Sequence, residues 1–165
     1  MTFQVNHDSF AWPIRVYYED TDSGGVVYHS VYLNFMERAR TEWLRSLGFD
    51  QSALARDRGL VFAVSRIQVH FLAPARMDDA LLITLTLAKQ GGASLHLHQQ
   101  ILHMPNRRPL VRAEVRIAML NRAFKPVRFP PDLLQGKGRE AAVGERVDSF
   151  TDFGSIRNKE TAAHE

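Results

Sequence analysis

The stretch "VYLNFMERARTEWLRSLG", Val31 to Gly48, decides the fold, because it carries the one long helical period in the chain. Tyr32, Met36, Ala39, Trp43 and Leu47 recur at three- and four-residue steps, and Phe35 and Leu44 widen the stripe. Side chains at that spacing share one face of an α-helix, so the pattern predicts a helix over Val31–Leu47 with that face buried. Arg38, Glu42 and Arg45 fall on its other faces. Ser30 stands where an N-cap belongs, and Gly48 where a glycine beyond the C-cap ends a helix. Asp50–Arg58 reads as a short second helix that Gly59 stops.

Downstream the period changes to two. In Val61–Phe71 the odd positions Val61, Ala63, Ser65, Ile67, Val69 and Phe71 alternate with Arg66, Gln68 and His70. Leu81–Leu87 sets Thr84 and Thr86 on its polar side. Ala93–Ile101 sets Leu95, Leu97 and Ile101 against His96, His98 and Gln100, and Val111–Met119 sets five apolar residues against Arg112, Glu114 and Arg116. One-faced strands in succession imply an antiparallel sheet with one apolar face. Gln90-Gly91-Gly92 and Pro105-Asn106 supply hairpin turns. Upstream of the helix, Ile14–Glu19 reads as a further strand. The expectation is an α+β domain over residues 1–135, in which an antiparallel sheet of about five strands covers one long central helix. Residues 136–165 read as a polar, loosely ordered tail.

The totals narrow the classes of function. The chain has 165 residues, room for one domain with a real core. It has no cysteine, which excludes disulfides, thiol nucleophiles and thiolate zinc sites and fits a cytoplasmic location. No signal peptide is read at the N-terminus, and no apolar run approaches the ~20 residues of a membrane span. The net charge is +3; residues 136–165 carry five Lys/Arg and six Asp/Glu, so the tail is −1 and residues 1–135 are +4. A modestly basic body favours an anionic ligand, but no dense basic block or basic–aromatic interleaving points to nucleic acid.

Just before the helix lies "EDTDSGG", Glu19 to Gly25. Read as a calcium loop, it lacks an oxygen ligand at its fifth position, Gly24, and the glutamate at its twelfth, Val31. Read as the Asp-x-Asp of a haloacid-dehalogenase phosphatase, it needs parallel strands with crossover helices, which the later chain does not offer. A third reading puts a carboxylate, Asp22, beside the first turn of the helix. Unpaired N–H groups there can polarise a carbonyl, and the carboxylate can attack the carbon or activate a water. A turn with no chemistry remains the alternative. His96 and His98 share a strand face at metal-ligand spacing, but no third ligand accompanies them, and no metal is expected.

The stretches "RVYYEDTDSGGVVYHSVYLNFMERARTEWLRSLGF" and "FAVSRIQVHFLAPARMDDALLI" resemble hotdog-fold thioesterases of the 4-hydroxybenzoyl-CoA thioesterase group, in particular the YbgC-like, tol-pal-associated branch. The resemblance covers about residues 12–135. It implies the hotdog fold, with the long helix wrapped by the sheet, and dimers or tetramers with sites at the dimer interface. It implies acyl-CoA hydrolysis with no cofactor, coenzyme A being part of the substrate. The catalytic positions it implies are Asp22, as base or nucleophile, and His29, whose backbone N–H polarises the thioester carbonyl. Val64 and Ser65 fall on the strand that lines the pantetheine channel in that family, and Tyr28 on core or channel wall. Lys89, Arg107 and Arg108 are candidates for coenzyme A phosphates. Glu19 and Asp20 read as structural, with Asp20 taking backbone N–H groups or pairing with Arg15 or Arg38. The alternative is a non-catalytic protein that holds acyl-CoA or an acyl-carrier protein within a cell-envelope system.

Overall fold

A computed structural model of the chain describes residues 9–104 and 106–130. The proposed tail, 136–165, and Pro105 of the second hairpin lie outside the described residues. Five strands, β1 (Ser9–Arg15), β2 (Val61–Phe71), β3 (Ala80–Gln90), β4 (Ser94–His103) and β5 (Arg108–Leu120), form one sheet in the order β1-β3-β4-β5-β2. Every pairing is antiparallel. The helix α1 (Val31–Ser46) packs on one face of this sheet, which is the hotdog arrangement. Its stripe is the one the sequence shows: Tyr32, Phe35, Met36, Ala39, Trp43 and Leu44 are buried against Leu81, Ile83, Leu85, Leu95, Leu97 and Ile101.

The ends of α1 follow different rules. Gly48, at φ 89°, donates its N–H to the Arg45 carbonyl, while Phe49 donates to Leu44. That pair is a Schellman ending, and the left-handed backbone explains the glycine. Ser30 occupies the N-cap, but its backbone is helical and its hydroxyl caps nothing. The short α2 (Gln51–Ala53) starts on Asp50, whose carboxylate accepts the Ala53 N–H, and runs on as a π-turn over Leu54–Arg58.

Two strand expectations need correction. The first strand is Ser9–Arg15 rather than Ile14–Glu19, and Tyr18–Asp20 is a 3-10 turn. The Asp20 carboxylate folds back onto the Tyr17 N–H at 2.8 Å, so it ends the extended run that Val16 and two tyrosines suggest. In β2 the odd-residue phase holds only from Ile67 onward. A register shift at Ser65 puts Phe62 and Val64 opposite the inward Met119 and Ile117, and Ile67 and Val69 opposite Val115 and Ala113. One extra residue reverses the facing of everything before it.

Candidate active site

The loop leaving Asp20 is held by its own backbone. Asp22 donates its N–H to the Val26 carbonyl, and Gly25 donates to the Asp22 carbonyl. Gly25 sits at φ 74°, a conformation that favours glycine. The Asp22 carboxylate is exposed, and its Oδ1 accepts the Gly24 N–H at 2.8 Å. A Cβ on Gly24 would lie 3.0 Å from that oxygen, so glycine at this position keeps room for the carboxylate. Oδ2 has no partner within the chain among the described residues.

Nine residues on from Asp22, the chain enters α1. Tyr28 donates its N–H to the Asp20 carbonyl, and Val31 donates to Tyr28. Among the described residues the N–H groups of His29 and Ser30 find no acceptor. The Ser30 N–H is one of the open donors of a helix start, and the His29 N–H lies just before the N-cap. The His29 side chain is exposed and rests on the Tyr28 ring, centroids 4.4 Å apart.

Beneath the turn lies the segment between β2 and β3. Ala75, fully buried, accepts the Val27 N–H and donates its own N–H to the Tyr32 hydroxyl at 2.9 Å. Ala75 therefore ties together the two ends of the stretch between Asp22 and α1. The sequence shows Tyr32 as an apolar-stripe residue; a buried phenol nonetheless needs a polar partner, and that need is the only signal for this contact. Asp79 lies nearby, within 3.5 Å of His103.

Burial raises the Tyr32 pKa; the Ala75 N–H works the other way, and the charges of Asp79 and Asp22 add to the rise. The unfolded chain then loses this proton first. Stability from Tyr32 is full below about pH 10, the ordinary phenol value, and is lost as pH rises through the folded-state value. Tyr32→Phe should cost about 1–3 kcal/mol at pH 8 by orphaning the Ala75 N–H. That deficit should narrow above about pH 10, and the latest part of the tyrosinate absorbance rise should vanish. Denaturant titrations and a 295 nm pH titration check both; a deficit constant across pH would refute the account.

Residues 16–136, well over half of the chain, match the family described as the thioesterase-like superfamily. The chain belongs to the thioesterase-like superfamily. Over 127 residues it is 41% identical to the acyl-CoA thioesterase YbgC of Haemophilus influenzae, an overlap of 76% of this chain and 92% of that one. It is 49% identical over 102 residues to the acyl-CoA thioester hydrolase YbgC of Escherichia coli O6:H1, covering 62% and 75% respectively. A crystal structure of a probable thioesterase from Bartonella henselae is 41% identical and superposes with a TM-score of 0.70, covering 74% of this chain and 99% of that one.

In this superfamily member, Tyr28 and His29 pack on each other just before α1, Asp22 lies in the turn that precedes them, and the other candidates lie elsewhere. Val64 is 48% exposed on β2, whose outer edge pairs with no other strand among the described residues. Ser65 is the bulge residue, and its hydroxyl donates to the Arg116 carbonyl. The three cations proposed for coenzyme A phosphates separate. Arg108 begins β5 opposite His103, with Arg107 in the turn just before it, at the end of the sheet that holds Asp79; Lys89 is at the far end of β3, opposite His96. Asp20 takes the Tyr17 N–H. The Arg15 guanidinium donates to the Asp78 carbonyl, and Arg38 lies over the Phe35 ring. No helix among the described residues is long and apolar enough to cross a membrane.

Proposed function

We propose that the chain hydrolyses acyl-CoA thioesters of small or medium acyl groups at the head of α1. The observation that supports this reading is a carboxylate with one pinned and one free oxygen, Asp22, in the turn that leads into α1, where the N–H of His29 finds no acceptor among the described residues. The thioester carbonyl accepts the His29 N–H, and the developing oxyanion is stabilised there. Asp22 takes a proton from water as the water attacks the carbonyl carbon. The tetrahedral intermediate then expels the coenzyme A sulfur, which receives the proton. In the nucleophilic variant Asp22 attacks the carbon itself, and water hydrolyses the resulting mixed anhydride.

In a single chain the site is open to solvent. The long β2 edge, with Val64 and Phe71 exposed, supports pairing with a second copy into a dimer, or into a tetramer as a dimer of dimers. Such pairing covers the edge and closes the channel. A cysteine-free chain acting on acyl-CoA fits the cytoplasm, and an acyl-carrier protein is an alternative donor of the acyl group.

The test is thiol release from a panel of short, medium, long and aromatic acyl-CoAs. Turnover is expected with the shorter members. Binding of acyl-CoA without hydrolysis across the whole panel would replace this reading with a non-catalytic carrier or scaffold.

A further inference from the structure

The sheet face turned away from α1 carries a separate arrangement. Arg66 on β2 stands opposite Arg116 on β5, Arg116 opposite His96 on β4, and His96 opposite Lys89 on β3. Cross-strand partners share a face, so four adjacent strands set these side chains in one row. At ~4.8 Å between strands the row is about 14 Å long.

Two bulges build it. Had β2 kept its register past Val64, Ser65 would face Arg116; the shift puts Arg66 there. Had β3 kept its register past Leu87, Ala88 would face His96; the shift puts Lys89 there. Each bulge exchanges a small uncharged side chain for a cation in the same row, the kind of re-aiming for which bulges are retained. The result is unfavourable for the sheet by itself, because like charges directly opposite one another repel. Among the described residues neither Arg66 nor Arg116 has a carboxylate within ion-pair distance. Glu114 stands in the next row, between Gln68 and His98. An open groove of about 340 Å³ is lined by Arg66, Arg116 and His96 of this row and by Gln68, Glu114 and His98 of the next, and Lys89 stands at the row's end beyond that lining.

We propose that this groove binds an oligophosphate anion, a di- or triphosphate, laid across the strands along the row. Guanidinium forks match phosphate oxygens in pairs, so Arg66 and Arg116 hold adjacent phosphates. His96 and Lys89 continue the row, and Glu114 limits the anion to one side of it. A single phosphate is too short to engage four strands. The anion is either a free nucleotide or inorganic oligophosphate, or the diphosphate of the acyl-CoA; the second source rests on the function proposed above.

The experiment is calorimetric titration of the full chain with inorganic triphosphate at low salt, with no acyl-CoA present. Saturable binding is expected, and Arg66→Gln and Arg116→Gln should each weaken it by about tenfold or more, the usual size of a lost charge-assisted contact. Arg112→Gln, on the same face two rows away, should weaken it far less. No binding by the wild-type chain, or equal losses in all three variants, would overturn the proposal, the latter reducing it to the net charge of the face. The Michaelis constants of Arg66→Gln for an acyl-CoA and for the matching acyl-pantetheine, which lacks phosphates, then separate the sources. A rise confined to the acyl-CoA assigns the row to the substrate, and no rise in either assigns it to a separate anion. Because binding is read without turnover, the site stands or falls apart from the hydrolysis reading.

Discussion

Asp22→Asn is expected to lower acyl-CoA turnover by about two to four orders of magnitude while leaving the fold intact, the usual contribution of a positioned general base. The substitution separates chemistry from structure because the two carboxylate oxygens have different surroundings. Oδ1 accepts the Gly24 N–H and shapes the turn; Oδ2 is free for water or for the thioester carbon. Asparagine keeps a carbonyl oxygen for Gly24 but offers an amide where the free oxygen stood, and an amide neither takes the proton nor attacks. Asp22→Ala removes both functions, so it should match the asparagine variant in lost turnover and also loosen the loop. Loosening would be read as faster amide exchange at Gly24 and Gly25. The measurements are thiol release at saturating acyl-CoA, the Michaelis constant, and the melting temperature of each variant. A folded Asp22→Asn protein that turns over at the wild-type rate would remove the carboxylate from the mechanism, leaving the helix-start amides to act on water alone.

Particular residues show what the sequence makes legible. A helix stripe is a local pattern, and every buried apolar residue of α1 lies on the stripe read from spacing. Strand alternation is equally local: β3 follows it as far as Leu87, β4 follows it except at Gln99, and β5 follows it over Val111–Met119. β2 does not, because a bulge is a relation between two strands and leaves no mark on either alone: Ser65 is an ordinary residue until Ile117 and Arg116 set its register. Asp20 shows the same limit. Its type and position announce a turn, yet only the folded loop selects the Tyr17 N–H over two nearby arginines. That Asp22 stands in a turn leading into the helix is readable, since two glycines lie between it and the helix start. The contact of Tyr32 with Ala75, 43 residues away, is not.

The largest structural departure from the sequence pattern is a polar pair in the core, and it carries the largest expected change in stability. Gln99 falls between Leu97 and Ile101 on the inward face of β4, where alternation calls for an apolar residue, and it is 1% exposed. Its Oε1 accepts the Arg40 guanidinium at 2.8 Å, and its Nε2 donates to the Met36 carbonyl at 3.1 Å. Arg40, 9% exposed, lies one turn beyond Met36 on the buried face of α1. Burial pulls its pKa below the usual arginine value, and the charge of Glu37 opposes that shift. The guanidinium stays charged in ordinary buffers, so the folded chain carries its desolvation cost throughout. Gln99→Leu preserves volume but strips the buried cation of its acceptor, and should cost about 3 kcal/mol, as when one partner of a buried charged contact is removed. Arg40→Met in the same chain should return much of that loss, because two apolar side chains of similar size leave nothing unsatisfied. A double-mutant cycle by chemical denaturation, at one protomer concentration since an oligomer's stability depends on it, would read a coupling of about 2 kcal/mol. Additive effects would mean that the guanidinium finds water once Gln99 is gone, and that the pair does not fix how α1 sits on the sheet.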